Sequence, residues 1–257
     1  GEYHFAVGTA GATGLVLQTI LVPLMLADGP SRVVIEGGTH AMAAPPFEFI
    51  ARTLLPVIAK MGPKVSISLE RHGFYPRGGG RIVVEFDPAP LRPVELVERG
   101  APVSNEAEAI IAGVPFDIAE RELSAMRKVL ADWPENAFSP RQISAEEGPG
   151  NAVLITSAFE HVTEVMSGFG KLGVPAERVG KTAAKRMAGY IASEAFAGPY
   201  LQDQLLLPFA IARGGAFSSV KLSLHTRTAI DLIERFTGTG FRIGEREGKR
   251  LLVEVRR

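Results

Sequence analysis

The sequence contains no cysteine, a single tryptophan and no surplus of either charge, since 28 acidic residues balance 28 basic ones among its 257 positions. Without cysteine there are no disulfides, thiolate metal sites or cysteine nucleophiles. That fits a reducing compartment, and the cytoplasm is the expected setting. The missing basic surplus speaks against a protein that coats long nucleic acids, because each neutralised phosphate requires a cation and releases counterions. A nucleic-acid partner is then expected to be gripped at an end or over a few nucleotides. Long apolar runs are absent too. The longest, around Leu15–Ala27, is interrupted by Gln18, Thr19 and Pro23 and is too short to span a bilayer, so no membrane association is expected. The opening Gly1-Glu2-Tyr3-His4-Phe5 has neither a basic stretch nor an initiator methionine. It reads as a first strand already under way rather than a signal peptide, which predicts a truncated or processed chain.

What is present suits a folded α/β protein: 46% hydrophobic and 22% charged residues, with 28 glycines and 18 prolines marking many turns. The most informative pattern is an internal repeat. Pro23-Leu24-Met25-Leu26-Ala27-Asp28-Gly29 closes one Leu-rich helical stretch, and Pro208-Phe209-Ala210-Ile211-Ala212-Arg213-Gly214 closes another. Each stretch contains glutamine (Gln18; Gln202 and Gln204) and is followed by a β-branched run, Val33–Glu36 in one case and Val220–Leu224 in the other. A loop with Thr39-His40 or His225-Thr226 comes next, then a second helix (about 46–61 and 226–236) and two strands (about 64–70 with 81–86, and 240–246 with 250–256). Alternation in Lys64–Leu69 and Arg250–Val255 supports strands with one buried face. The predicted architecture is two copies of a helix–strand–helix–strand–strand module, over 1–99 and 194–257, with a small α/β domain inserted over 100–193. Within the insert, the pattern predicts strands at Glu106–Ala112, Gln142–Glu146 and Ala152–Ser157, and helices at Pro115–Ala131 and Ala176–Ser193.

Common nucleotide and hydrolase motifs are missing: there is no Walker-A string, no Gly-x-Ser-x-Gly elbow and no Rossmann fingerprint. The five histidines, His4, His40, His72, His161 and His225, show no zinc-ligand spacing. His225 stands at a strand-to-helix junction, where α/β folds gather ligands and a helix N-terminus favours phosphate. A neutral imidazole there can attack an activated phosphate, or it can simply pack at the helix start. Tyr200-Leu201-Gln202-Asp203-Gln204 suits a base edge and its metal, and equally an ordinary first turn with Asp203 on the helix dipole. The turn Gly8–Gly14 can cradle an anion or merely join a strand to a helix. Gln18 can face the same ligand or only interrupt an apolar face. Arg71-His72-Gly73-Phe74-Tyr75-Pro76-Arg77-Gly78-Gly79-Gly80 combines arginines with aromatics, as phosphate contact and base stacking require. A long hairpin covering the sheet edge is the competing reading.

Taken together these strings resemble the signature of the RNA 3'-terminal phosphate cyclases. The resemblance rests on the Arg71–Gly80 string, Leu17-Gln18-Thr19, Ala27-Asp28-Gly29-Pro30, Gly37-Gly38-Thr39, Ala44-Pro45-Pro46, Gly148-Pro149-Gly150-Asn151, Tyr200–Gln204 and His225-x-x-Thr228. It runs in order from end to end. It implies three repeats with the small domain inserted before the last, so that a repeat preceding this chain is expected to be missing, along with metal- and triphosphate-binding groups. It further implies ATP and a divalent metal (Mg or Mn) as cofactors and RNA 3'-phosphate ends as substrates. The implied reaction converts a 3'-phosphate to a 2',3'-cyclic phosphate through a histidine–AMP intermediate at His225. Gln18 and the stretch Tyr200, Leu201, Gln202, Asp203 and Gln204 match ATP-contacting positions of the family, and Pro46 and Phe49 match a segment near the adenine. No metal ligand is assigned. Ala229 departs from the asparagine that family members often have one position after the motif threonine.

Two other classes compete. A non-catalytic ribosome-assembly member of the superfamily would lack the histidine that His225 supplies. An enolpyruvyl transferase shares the repeated module, but its motifs are not found here. An apolar face left by a missing repeat would favour self-association, so a homo-oligomer is a further expectation.

Overall fold

Residues 1–246 and 250–256 are described by the computed structural model of the chain. Its strands form three four-stranded sheets. In the first, β1 (Glu2–Ala6) runs parallel to β2 (Ser31–Gly37), which pairs antiparallel with β4 (Gly80–Asp87), itself antiparallel to β3 (Lys64–Arg71). The second repeats this order. In it β5 (Glu95–Leu96) is parallel to β10 (Ala216–Ser219), and β12 (Leu251–Val255) lies between β10 and β11 (Phe241–Glu245). The two sheets therefore share one pattern, including a leading strand parallel to the first strand of each module. In the second module β5 is separated from its helix by the whole segment between Leu96 and Leu201.

The helices match between modules. In the first, α1 (Thr13–Met25) is followed after β2 by a helical segment over 47–60, made of α2 (Phe47–Phe49), a wide π turn (Ile50–Leu54) and α3 (Leu55–Lys60). In the second, α6 (Leu201–Ala212) and α7 (Leu224–Thr237) hold the same places. The spacing Leu17, Leu21 and Met25 puts one apolar stripe of α1 into the core, as Leu201, Leu205 and Phe209 do on α6.

The third sheet has the order β7 (Phe138–Ile143), β6 (Pro102–Ala112), β8 (Gly150–Phe159) and β9 (Thr163–Phe169). Its alternation reads both ways. Ala107, Ala109, Ile111, Val153, Ile155 and Met166 face a core shared with α4 (Asp117–Val129) and α5 (Ala176–Ser193). Their neighbours Ile110, Ala112, Ala152, Leu154 and Val165 join the main core with both repeats. Each large side chain withdrawn from water this way contributes about 1.5–3 kcal/mol.

Several expectations need correction. The run Val220–Leu224 is not a strand: β10 ends at Ser219, and Ser223 caps α7, its hydroxyl accepting from the Thr226 N–H. Helix capping overrides the apolar run, and Leu224 is left 82% exposed. The strand expected at Gln142–Glu146 lies earlier, at Phe138–Ile143, and is followed by a 3-10 turn over Ala145–Glu147. Pro140 masks it, and is tolerated because β7 is an edge strand. The residue pattern predicts neither β5 nor β9.

The hairpin between β3 and β4 is seated on the third sheet. Phe74 is buried, and its ring lies where a Cβ on Gly150 would stand. Gly150→Ala is expected to lower stability by about 1–3 kcal/mol through overpacking. Urea denaturation checks this, and a wild-type midpoint would contradict the seating.

Candidate active site

A cavity of about 690 Å³ opens between the helices of the two repeats and the inserted unit. One wall comes from the repeats. Leu15 and Gln18 of α1 line it, as do Tyr200, Asp203 and Gln204 at the start of α6. Counted back from the proline within each helix (Pro23 and Pro208), Leu15 corresponds to Tyr200 and Gln18 to Asp203. The duplicated module thus aims equivalent positions into one space. Pro46 and Phe49, at the start of the 47–60 helical segment, add an apolar floor, and Phe49 meets the Tyr200 ring edge-on at 6.4 Å between centroids. The opposite wall belongs to the inserted unit: Val165, Ser167 and Phe169 from one face of β9, and Arg178, Thr182 and Arg186 from α5.

His225 lines the same cavity, exposed, in the first turn of α7. That turn is locked by the Ser223 cap and by buried Thr226, whose hydroxyl lies 2.8 Å from that of Ser223. The unpaired N–H groups of a helix start carry partial positive charge, which favours a phosphate beside the ring. Asp203 is held above the usual carboxylate range by burial, partly offset by the charge of His225. Its Oδ1 is buried without a hydrogen-bond partner. Such an orphaned oxygen next to an imidazole has spare capacity for a cation or a polar ligand.

Buried polar groups hold the cavity walls. Glu48, between Pro46 and Phe49 in the first turn, accepts from His40 Nε2 at 2.9 Å, while the Thr39 hydroxyl lies 2.8 Å from His40 Nδ1. Burial would raise the Glu48 carboxyl, but the His40 charge and hydrogen bond outweigh it and leave it lowered. The loop before Tyr200 is tied across to β9, where Glu164 accepts from the Gly198 N–H at 3.1 Å. Glu164 is wholly buried with no ion-pair partner among the described residues, and burial pushes its carboxyl up to about 8.

The family model for RNA 3'-terminal phosphate cyclase matches residues 1–243. A protein of that name from Koribacter versatilis (strain Ellin345) is 49% identical over 250 residues, covering 96% of this chain and 70% of the relative. Another from Ectopseudomonas mendocina (strain ymp) is 44% identical over 256 residues, covering 100% of this chain and 75% of the relative. A third, from Ralstonia nicotianae (strain ATCC BAA-1114 / GMI1000), is 43% identical over 258 residues. The chain belongs to the RNA 3'-terminal phosphate cyclase family.

Of the residues singled out from sequence in this cyclase-family chain, Gln18, Pro46, Phe49, Tyr200, Asp203, Gln204 and His225 share the cavity. Leu201 and Gln202 do not line it. Leu201 packs into the core, and the buried Gln202 carboxamide accepts from the Ser219 hydroxyl at 2.9 Å and donates to the Pro199 carbonyl. Helical periodicity explains the split, since positions 200, 203 and 204 share one face of α6. Arg178, Thr182 and Arg186 were missed. Their spacing of four is the only sequence signal for them, and it is equally that of an ordinary solvated helix face.

Other family strings turn out to hold the chain together. Arg77 donates to the Glu146 carbonyl at 2.8 Å and the Gly148 carbonyl at 3.2 Å, and Arg71 reaches the Glu146 carbonyl at 3.5 Å. His72 gives its backbone N–H, at 2.6 Å, and its Nδ1, at 2.9 Å, to Glu147. Burial lowers the His72 imidazole, although Glu147 opposes this. The Gly8–Gly14 turn exchanges backbone hydrogen bonds with the end of β2: Gly38 N–H to the Gly11 carbonyl at 2.8 Å and Thr13 N–H to the Gly38 carbonyl at 2.9 Å. Gly37 leaves room there, since a Cβ would strike the Gly11 carbonyl.

The raised Glu164 carboxyl makes stability fall as pH rises. Between its ordinary value of 4.5 and about 8, the folded state keeps a proton that the unfolded state releases. Glu164→Gln, which stays neutral, is expected to match wild type near pH 5 and to have the higher urea midpoint at pH 8.5. An equal difference at both pH values would refute the buried neutral acid.

Proposed function

We propose that the cavity is the nucleotide site of an ATP-dependent enzyme that converts an RNA 3'-phosphate to a 2',3'-cyclic phosphate, with His225 as nucleophile. The observation that carries this is the exposed His225 imidazole, at a helix start, sharing one cavity with Gln18, Pro46, Phe49, Tyr200, Asp203 and Gln204. The relatives are named for the same reaction class.

The chemistry follows from the groups. A ring nitrogen of His225 attacks the α-phosphorus of ATP. A P–N bond forms, and pyrophosphate leaves with the electron pair of the broken P–O bond. The RNA 3'-phosphate then takes AMP from the histidine, because a phosphate monoester is a poor electrophile until it carries a good leaving group. The vicinal 2'-hydroxyl attacks the activated phosphorus, loses its proton and expels AMP. Pro46, Phe49 and Tyr200 supply an apolar slot for the adenine, and Gln18 and Gln204 supply hydrogen-bonding groups beside it.

Among the described residues there is no cluster of three or more His, Cys, Asp or Glu side chains able to hold a metal alone. The orphaned Asp203 carboxylate fits the other arrangement, in which a divalent cation is shared between one carboxylate and nucleotide phosphates. Such a cation offsets accumulating phosphate charge. No described helix is long and apolar enough to cross a membrane.

Incubation with ATP labelled at the α-phosphate and a divalent metal is expected to leave an acid-labile, base-stable label on the protein. His225→Ala should abolish it while keeping the wild-type melting temperature. A label of equal strength in that variant would contradict the assignment.

A further inference from the structure

We infer that Arg178 and Arg186 form a cationic wall that grips phosphates of the RNA's 3'-terminal segment, so that the inserted unit supplies the polynucleotide subsite. This rests on the nucleotide reading above for the opposite wall. Arg178, Thr182 and Arg186 sit at i, i+4 and i+8 of α5, so one face of the helix presents all three to the cavity. Among the described residues the other charged or titratable lining groups are Asp203, His225 and the Tyr200 phenol. Both arginines are exposed, and neither has a carboxylate within ion-pair distance among the described residues. On the same pair of helices Arg121 and Arg127 are paired, to Glu177 and Glu135. Structural roles thus account for those two, and not for Arg178 and Arg186.

The spacing points to a strand rather than a second grip on ATP. Eight helical residues separate the two positions by about 12 Å along the axis. That exceeds the length of a triphosphate and fits alternate phosphates of an extended single strand. Arg178 lies in the first turn of an 18-residue helix, so the helix dipole reinforces its charge. A guanidinium takes phosphate oxygens in pairs, which suits both a terminal 3'-monophosphate and the diesters behind it. With no net charge on the chain, a local cationic wall is what an end-gripping protein needs.

The test compares Arg178→Ala, Arg186→Ala and the double variant, which should melt as wild type does because both side chains are solvated. Labelling by ATP without RNA is expected to stay within about twofold of wild type. Discharge of preformed label by 3'-phosphorylated oligonucleotides should show a KM raised roughly tenfold per arginine, as loss of a charge-assisted hydrogen bond implies. The penalty should be smaller with a nucleoside 3'-phosphate, which spans one arginine only. The salt dependence of oligonucleotide binding should fall by about 0.7 in log–log slope for each arginine removed. Unchanged discharge would overturn the proposal. So would a loss of ATP labelling equal to the loss of discharge, which would give the wall to ATP. If wild type takes no label, the nucleotide reading fails separately. Fluorescence anisotropy with a 3'-phosphorylated oligonucleotide and no ATP then decides: weakened binding in the double variant supports the wall, and intact binding refutes it.

Discussion

Burial of both faces of the inserted unit's sheet is the constraint on which the rest of the molecule depends. A sheet covered only by α4 and α5 would be free to sit anywhere at the end of its connections. Because Ile110, Leu154 and Val165 are drawn into the same core as the repeats' helices, β9 is fixed against the helical segment that begins at Phe47. The cavity lies between the repeats' helices and the inserted unit. One face of β9 serves as its wall, and α5 lies alongside.

Buried polar groups then set the positions that apolar packing leaves loose. Two of them act at junctions between units. Glu164 reaches from β9 to the Gly198 amide, just ahead of Tyr200, and His72 reaches from the β3–β4 hairpin to Glu147, while the exposed Arg77 beside it donates to the Glu146 and Gly148 carbonyls. An unpaired carboxylate in such surroundings is unfavourable, and Glu164 meets this by remaining protonated at neutral pH. The uncharged acid still satisfies the Gly198 amide, so the tie survives without a buried charge.

Much of this was readable from sequence. The repeated pattern of a proline-bearing helix, a strand, a second helix and two strands predicts two like modules, and the first two sheets have matching strand orders. Helix α5 matches the stretch Ala176–Ser193 foreseen for it. The failures have physical causes. Val220–Leu224 has strand composition, yet Ser223 competes for the Thr226 amide and starts a helix instead. β5 is two residues long and is recognisable only from its partner β10, more than a hundred positions away. At the site, the Tyr200–Gln204 string does not reveal which side chains turn inward, because that depends on how α6 rests on its neighbours. The arginine–aromatic hairpin has a composition suited to phosphate. Its Arg77, however, is committed to backbone carbonyls, a partner no sequence pattern displays.

The most direct measurement is a crystal structure of the protein soaked with ATP and a divalent cation. Continuous density from a His225 ring nitrogen to a phosphorus atom is predicted, with the adenine between Pro46 and Tyr200 and against Phe49. A nucleotide bound outside the cavity, or inside it with the adenine at His225 and its phosphates toward Phe49, would contradict the assignment of this space to nucleotidyl transfer.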